Sequence, residues 1–135
     1  MTGGLYVKKT GYITLLVKDI NEAIEFYTTK FGFVVVENMQ NGDFHWVTVA
    51  PQQDNETVFV LGCKFPGVEQ IIGRQAGMAP LAIIASDNCR EDVAQMKELG
   101  VEVVKEPADE FWGIDAWVKD LYGNIFNIVE VPTRQ

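Results

Sequence analysis

Tyr12-Ile-Thr-Leu-Leu-Val-Lys-Asp-Ile-Asn-Glu-Ala-Ile-Glu-Phe-Tyr-Thr-Thr-Lys-Phe-Gly32 reads as a strand feeding a helix. Residues 12–18 are dominated by β-branched and aliphatic side chains, which suit a pleated, half-buried surface. Asp19 follows, with Glu22 three residues later, the D-x-x-E form of a capping box that opens a helix. Within that helix Ile20, Ala23, Ile24, Phe26, Tyr27 and Phe31 recur at three- and four-residue spacing, leaving Glu22, Glu25 and Lys30 for solvent. Gly32 supplies the left-handed residue that stops it.

Outward from this unit, Phe33 to Glu37 reads as a strand, Asn41-Gly42-Asp43 as a tight turn, Phe44 to Val49 as a strand stopped by Pro51, and Thr57 to Leu61 as another. The order β-α-β-β-β then recurs. Leu81 to Ser86 is an apolar strand, Asp87 and Asn88 cap a helix, and Val93, Met96, Lys97 and Leu99 lead to Gly100. Asp19 to Gly32 and Asp87 to Gly100 each span 13 positions, so the two capped segments align without a gap at an offset of 68. Val101 to Lys105, a break at Glu106-Pro107, Phe111 to Lys119, the turn Asp120-Leu-Tyr-Gly123-Asn124, and Ile125 to Val131 complete the second copy. The chain is therefore read as an internal duplication in one domain over 1–135: module one about 10–62, a linker about 63–79, and module two about 80–132. The linker, rich in glycine with prolines beside it, is expected to hold at most one helical turn and to permit either pairing within the chain or exchange of modules between subunits.

The composition limits the function. Of the 135 residues, 47% are hydrophobic and 22% charged, with no unbroken apolar run long enough to span a membrane. The start MTGGLYVKK lacks the apolar core of a secretory signal, so a cytoplasmic location is expected. Cys63 and Cys89 fit no metal or redox spacing and are read as free thiols without a role. The net charge of −8 opposes a nucleic-acid or anionic-membrane surface, since both need clustered positive charge. It would suit a cationic ligand, although solubility explains it as well.

Three segments together, VKDINEAIEFYTTKFGF, PLAIIASDNCREDVAQMKELGVEVVKEP and WGIDAWVKDLYGNIFNIVE, resemble the vicinal oxygen chelate superfamily: glyoxalase I, extradiol dioxygenases and the fosfomycin and bleomycin resistance proteins. The resemblance runs from about Tyr12 to Val131. It implies an α+β fold of two tandem βαβββ modules whose curved sheets pair into an open, barrel-like groove. Metal-dependent members of such a family draw their ligands from four strand positions, which fall here on Tyr12, Val60, Leu81 and Asn127. Family ligands are His, Glu or Gln, and none of the four matches. Valine and leucine carry no lone pair, and neutral tyrosine and asparagine are poor ligands. No metal and no cofactor is expected.

What remains points to binding. The resemblance implies a groove in which Tyr12 and Asn127 supply hydrogen bonds from opposite walls, Val60 and Leu81 form an apolar floor, and Trp46 and Trp112 offer stacking surfaces. The sole histidine, His45, is more readily a surface or edge side chain than a catalyst; in the groove it could act as an acid or base, oriented by Asp115 or Glu102. Alternation along the last strand sends Ile125, Asn127 and Val129 toward the groove and Phe126 and Ile128 beneath the helix. In Glu110-Phe-Trp-Gly113, the tryptophan suits either a ligand-covering wall or a plain turn with a hydrophobic anchor.

The favoured reading is a protein that binds a small organic molecule, cationic or aromatic, in a metal-free groove, as a homodimer. Two alternatives stand beside it. One is an enzyme of the lactoylglutathione lyase or dioxygenase type with an unusual site around Tyr12, His45 and Asn127. The other is a dimeric regulatory or scaffolding protein whose groove is closed by its partner.

Overall fold

A computed structural model describes residues 4–62 and 64–132; the expectation for Cys63 lies outside them. The elements run β1 (Tyr12–Leu15), α1 (Ile20–Thr29), β2 (Val34–Asn41), β3 (Phe44–Ala50), β4 (Val58–Leu61), then β5 (Pro80–Ala85), α2 (Cys89–Glu98), β6 (Val103–Glu110), β7 (Gly113–Lys119) and β8 (Ile125–Glu130). The strands form two four-stranded sheets, ordered β1-β4-β3-β2 and β5-β8-β7-β6. In each, the first strand runs parallel to the last and the remaining pairs are antiparallel. The architecture is α+β, with the sheets forming a curved groove and not closing into a barrel.

Both helices bury their apolar stripe in one continuous core. Ala23 and Tyr27 of α1 and Cys89, Val93 and Met96 of α2 meet Leu15, Val49, Phe59 and Leu61 of the first sheet and Ala116, Val118, Phe126 and Ile128 of the second. The parity expected for β8 holds, with Phe126 and Ile128 in the core. Tyr27 stands edge-on to Phe126 across the modules, at a ring separation of 6.1 Å.

The capping box of α1 is only half formed. Asp19 Oδ1 accepts the Glu22 N–H at 2.9 Å, but the Asp19 N–H donates to the Tyr122 hydroxyl of module two, 3.2 Å away, and not to Glu22. A local cap has become a bond between modules. In α2 the cap is Asn88, whose Oδ1 accepts from Glu91 N–H at 3.1 Å. The caps therefore stand at 19 and 88, one position further apart than the left-handed glycines at 32 and 100, and the ungapped alignment of the two helices is corrected by one residue. Cys89, read as having no role, opens the buried face of α2, and its thiol donates to the Ile128 carbonyl at 3.2 Å. Burial, and then the nearby acidic charges led by Glu130, push that thiol up, which keeps it protonated.

Two strands extend beyond their apolar cores. β2 runs through the polar Asn38 to Asn41, paired with β3 up to the turn at Gly42-Asp43. β6 passes through Pro107 where a break is expected, because β6 is a sheet edge and the register slips between Lys105 and Ala108, so no ladder N–H is needed there. Phe111 is not in a strand: with Trp112 it forms the turn between β6 and β7.

The linker contains one 3₁₀ turn, Val68–Gln70, and is pinned at two points. The Gln75 amide accepts from Leu16 N–H at 2.6 Å and donates to the Thr14 carbonyl at 2.9 Å, taking the place of a neighbouring strand along β1. Gly73, at φ +83°, lies so close to Tyr122 that a Cβ there would sit 1.9 Å from its carbonyl oxygen.

Candidate functional site

Across the middle of each sheet runs a row of four directly paired residues, and paired residues share a face. In the first sheet the row is Thr14–Val60–Thr48–Glu37; in the second it is Ile83–Asn127–Trp117–Lys105. Both rows lie on the face turned away from the helices, since the intervening residues Val47, Val49, Phe59, Phe126 and Ile128 fill the core.

Beside the first row stand the aromatic rings. Tyr12 meets Trp46 edge-on at 5.5 Å, and Phe44 lies 6.5 Å from Trp46. Trp46 is held by its own sheet: its indole N–H donates to Glu37 Oε1 at 3.0 Å, and the Thr48 hydroxyl donates to the same oxygen at 3.3 Å. A cleft of about 620 Å³ opens here, with Trp46, Val60, Thr14, His45 and Lys64 among its walls. That volume is in the range of small-molecule sites.

The structure brings together some of the expected residues and separates others. Tyr12, Trp46 and Val60 share the first sheet. His45 follows the opposite parity and lies 2.7 Å, through Nε2, from Asn38 Oδ1. Because Oδ1 only accepts, that ring nitrogen carries the proton. Neither Asp115 nor Glu102 orients it: Asp115 is in the second sheet and Glu102 pairs with Lys119. Leu81 sits where β5 slips register and lines a different cleft, with Ile13 and Phe59. Asn127 is on β8, and Trp112 at the β6–β7 turn packs edge-on against Phe111 at 4.9 Å, with Phe111 95% exposed. The Tyr12–His45–Asn127 grouping needed for an unusual enzyme site is not assembled.

Sequence reasoning missed Glu37, Lys105 and, as a site residue, Trp117. Asp115, 4% exposed, accepts from Asn127 Nδ2 at 3.2 Å. Lys105 donates to the Asp115 carbonyl at 3.0 Å and pairs with Glu110 at 3.2 Å. The Trp117 indole N–H and Asn127 Oδ1 are buried and have no partner. A buried polar atom left so costs about 1–3 kcal/mol. The offset that aligns Glu37 with Lys105 was legible, but not that both would lie on the groove face.

The family's metal positions do not fit a divalent cation. Val60 and Leu81 have no lone pair, Tyr12 is packed against Trp46, and the buried Asn127 amide oxygen would be a lone neutral donor. Among the described residues no group of three or more His, Cys, Asp or Glu is placed to hold one.

Residues 9–128 match the Glyoxalase/Bleomycin resistance protein/Dioxygenase superfamily, and the chain belongs to it. An uncharacterized protein of Shewanella frigidimarina is 31% identical over 127 residues, covering 92% of this chain and 94% of its own. Among solved structures, UcmS2 superposes with a TM-score of 0.80 at 26% identity, over 92% of this chain and 98% of its own. TnmS3, an antibiotic-binding protein from Streptomyces sp. CB03234, does so with a TM-score of 0.78 at 23% identity, over 96% and 100%; that likeness is one of fold.

Proposed function

We propose that this chain binds a small organic molecule, aromatic or cationic, in a groove that uses no metal, in the manner of a binding member of its superfamily. The observation that carries this reading is the cleft beside Trp46, where a fixed indole, backed by Tyr12, and the Phe44 ring border an opening of about 620 Å³. Rings supply large contact area at small cost in side-chain entropy. Trp46, His45 and Val60 belong to this wall and Tyr12 packs against Trp46, while Asn127, Leu81 and Trp112 stand on elements of module two. Since the cleft's walls come from residues 14–64 alone, a homodimer that lays module two of another copy over it would complete the groove. A cytoplasmic location is part of the same reading, and among the described residues no helix is long and apolar enough to cross a membrane.

The test is a titration with Nile red, a neutral planar amphiphile, read by its own emission and by tryptophan quenching. Saturable binding, weakened about tenfold by Trp46→Ala, is expected, a change of about 1.4 kcal/mol. Absence of saturable binding, or indifference to Trp46→Ala, would overturn the reading.

A further inference from the structure

Each sheet has two edge strands, and three of the four are closed to further pairing. Along β1 the Gln75 amide takes up the Leu16 N–H and the Thr14 carbonyl. β2 is bulged between Val35 and Glu37 and ends in the polar Asn38–Asn41 stretch, while β6 carries Pro107, two register slips and the charged Lys105, Glu106, Asp109 and Glu110. Such devices keep an edge from recruiting another strand. From Ala82 onward β5 has none of them: it is uncharged, regularly paired with β8, and Ile83 is 69% exposed. The Ser86 N–H donates to the Val129 carbonyl of β8, so by alternation Ile83 and Ala85 turn their N–H and C=O groups outward, where among the described residues nothing takes them up. A cleft of about 920 Å³ opens along this strand, lined by Leu81 to Ala85, by Ile13, Thr57 and Phe59 of module one, and by Asp87 and Asp92. Five consecutive residues of β5 reach it, both parities of the strand, as an open edge does and a single face does not.

The same chain carries an apolar segment without a partner. Leu5, Tyr6 and Val7 are 84%, 92% and 88% exposed, and Lys8 and Lys9 follow them. The root of this arm is pinned beside the cleft: the Thr57 hydroxyl donates to the Thr10 carbonyl at 2.9 Å, and the Val58 N–H to the Gly11 carbonyl at 3.0 Å. We infer that the arm of a second copy lies in the cleft as an added strand, its backbone bonded to Ile83 and Ala85, its Leu5 and Val7 beside Leu81 and Ile83, and its lysines beside Asp87 and Asp92. The arm runs parallel to β5, because that direction carries Lys8 and Lys9 toward Asp87 whereas the reverse would leave them at Pro80. Added strands gain affinity from main-chain bonds and specificity from alternate side chains. The chain's own arm is not the occupant, since it stands clear in solvent. Mutual exchange under two-fold symmetry covers both arms and both edges and closes at two copies. It presupposes the homodimer of the proposed function and names what joins it; the ligand plays no part.

A carbodiimide, which couples an ammonium to a carboxylate in contact with it, tests the placement on the full chain, with the Lys9–Glu56 pair at 3.1 Å as the internal control. Peptides joining Lys8 or Lys9 to Asp87 or Asp92 are expected in the covalent dimer isolated on a denaturing gel. The same links confined to the monomer band would lay the arm over its own cleft, and their absence from both bands would leave the cleft without it; either result overturns the exchange. In sedimentation, Leu5→Asp with Val7→Asp should weaken the dimer at least about tenfold. Ala85→Pro, which removes an outward N–H from an edge strand, should do the same; if it does not fold, the arm variant decides, since its two side chains are already exposed. A dimer indifferent to the arm variant overturns the exchange and leaves the dimer of the proposed function standing. A wild-type monomer overturns both, and Nile red binding reports on the ligand separately.

Discussion

Module one and module two carry equivalent rows across their sheets and use them in opposite ways. In Thr14–Val60–Thr48–Glu37 the polar groups serve the protein: Glu37 accepts from Thr48 and from neighbouring Trp46, and a cleft of mixed aromatic and polar lining remains. In Ile83–Asn127–Trp117–Lys105 the ion pair and the Asp115 contact leave a donor and an acceptor over. The core faces had no such freedom, since both must be apolar to bury the helices. Both sheets keep an apolar face toward the helices, while their opposite faces diverge: the first satisfies its polar groups within the protein and the second leaves two buried polar atoms unpaired.

The same asymmetry marks the turns before the last strands, where the largest effect is expected. In module one residues 52–56 are exposed. In module two Asp120 is buried and accepts from the Tyr27 hydroxyl, the backbone N–H groups of Tyr122 and Asn124, and the Asn124 amide. Asp120→Ala should lose more than about 3 kcal/mol in urea unfolding, since each hydrogen bond to a charged group contributes about 1.5–3 kcal/mol, whereas Asp54→Ala should stay within about 0.5 kcal/mol. Equal losses would dissolve the distinction.

The hairpin glycines sharpen it further. Gly113 has φ +139° and a Cβ there would lie 2.2 Å from the Glu130 carbonyl oxygen, while Gly42, at φ +62°, has open space around it. Gly113→Ala should cost about 2–4 kcal/mol through strain and crowding, and Gly42→Ala about 1 kcal/mol, both read from thermal unfolding.

Tyr27→Phe should cost about 1.5–3 kcal/mol by losing the bond to Asp120. Burial, and then the neighbouring Asp120 carboxylate, hold the Tyr27 phenol well above its ordinary value of 10.0. The unfolded chain therefore releases this proton first, and the stability the phenol contributes is present below pH 10 and lost as pH rises beyond it. The wild type should lose stability from about pH 10 upward by more than Tyr27→Phe does; parallel curves would contradict the assignment.

Exchanging the row residues should have the smallest effect on stability. Val60→Asn and Asn127→Val together are expected to shift unfolding by less than about 1.5 kcal/mol, as substitutions on a half-buried face do.

Much of the fold was legible because it is written locally. Asp19 and Asn88 cap, Gly32 and Gly100 stop, and the three- and four-residue spacing of apolar side chains marks the helix faces. The misjudged boundaries share a cause: Asn38 to Asn41 and Pro107 have no strand propensity, and pairing with a neighbour holds them in place. The site was less legible still. The family resemblance marks Val60, and strand parity reaches only the last strand, whereas Glu37, Lys105 and Trp117 acquire meaning only from cross-strand register, and the loss of Asp19 N–H to Tyr122 from partners 103 positions apart.

The sequence by itself determined the duplicated βαβββ pattern and the parity of the last strand, because each depends on residue type and near-neighbour spacing; the four strand positions without metal-ligand side chains are marked by the family resemblance. Only the tertiary structure decided which polar groups are satisfied within the protein and which are left unpaired. Hydrogen bonding depends on which side chains the sheets bring within about 3 Å of one another, and the chain's linear order does not contain that.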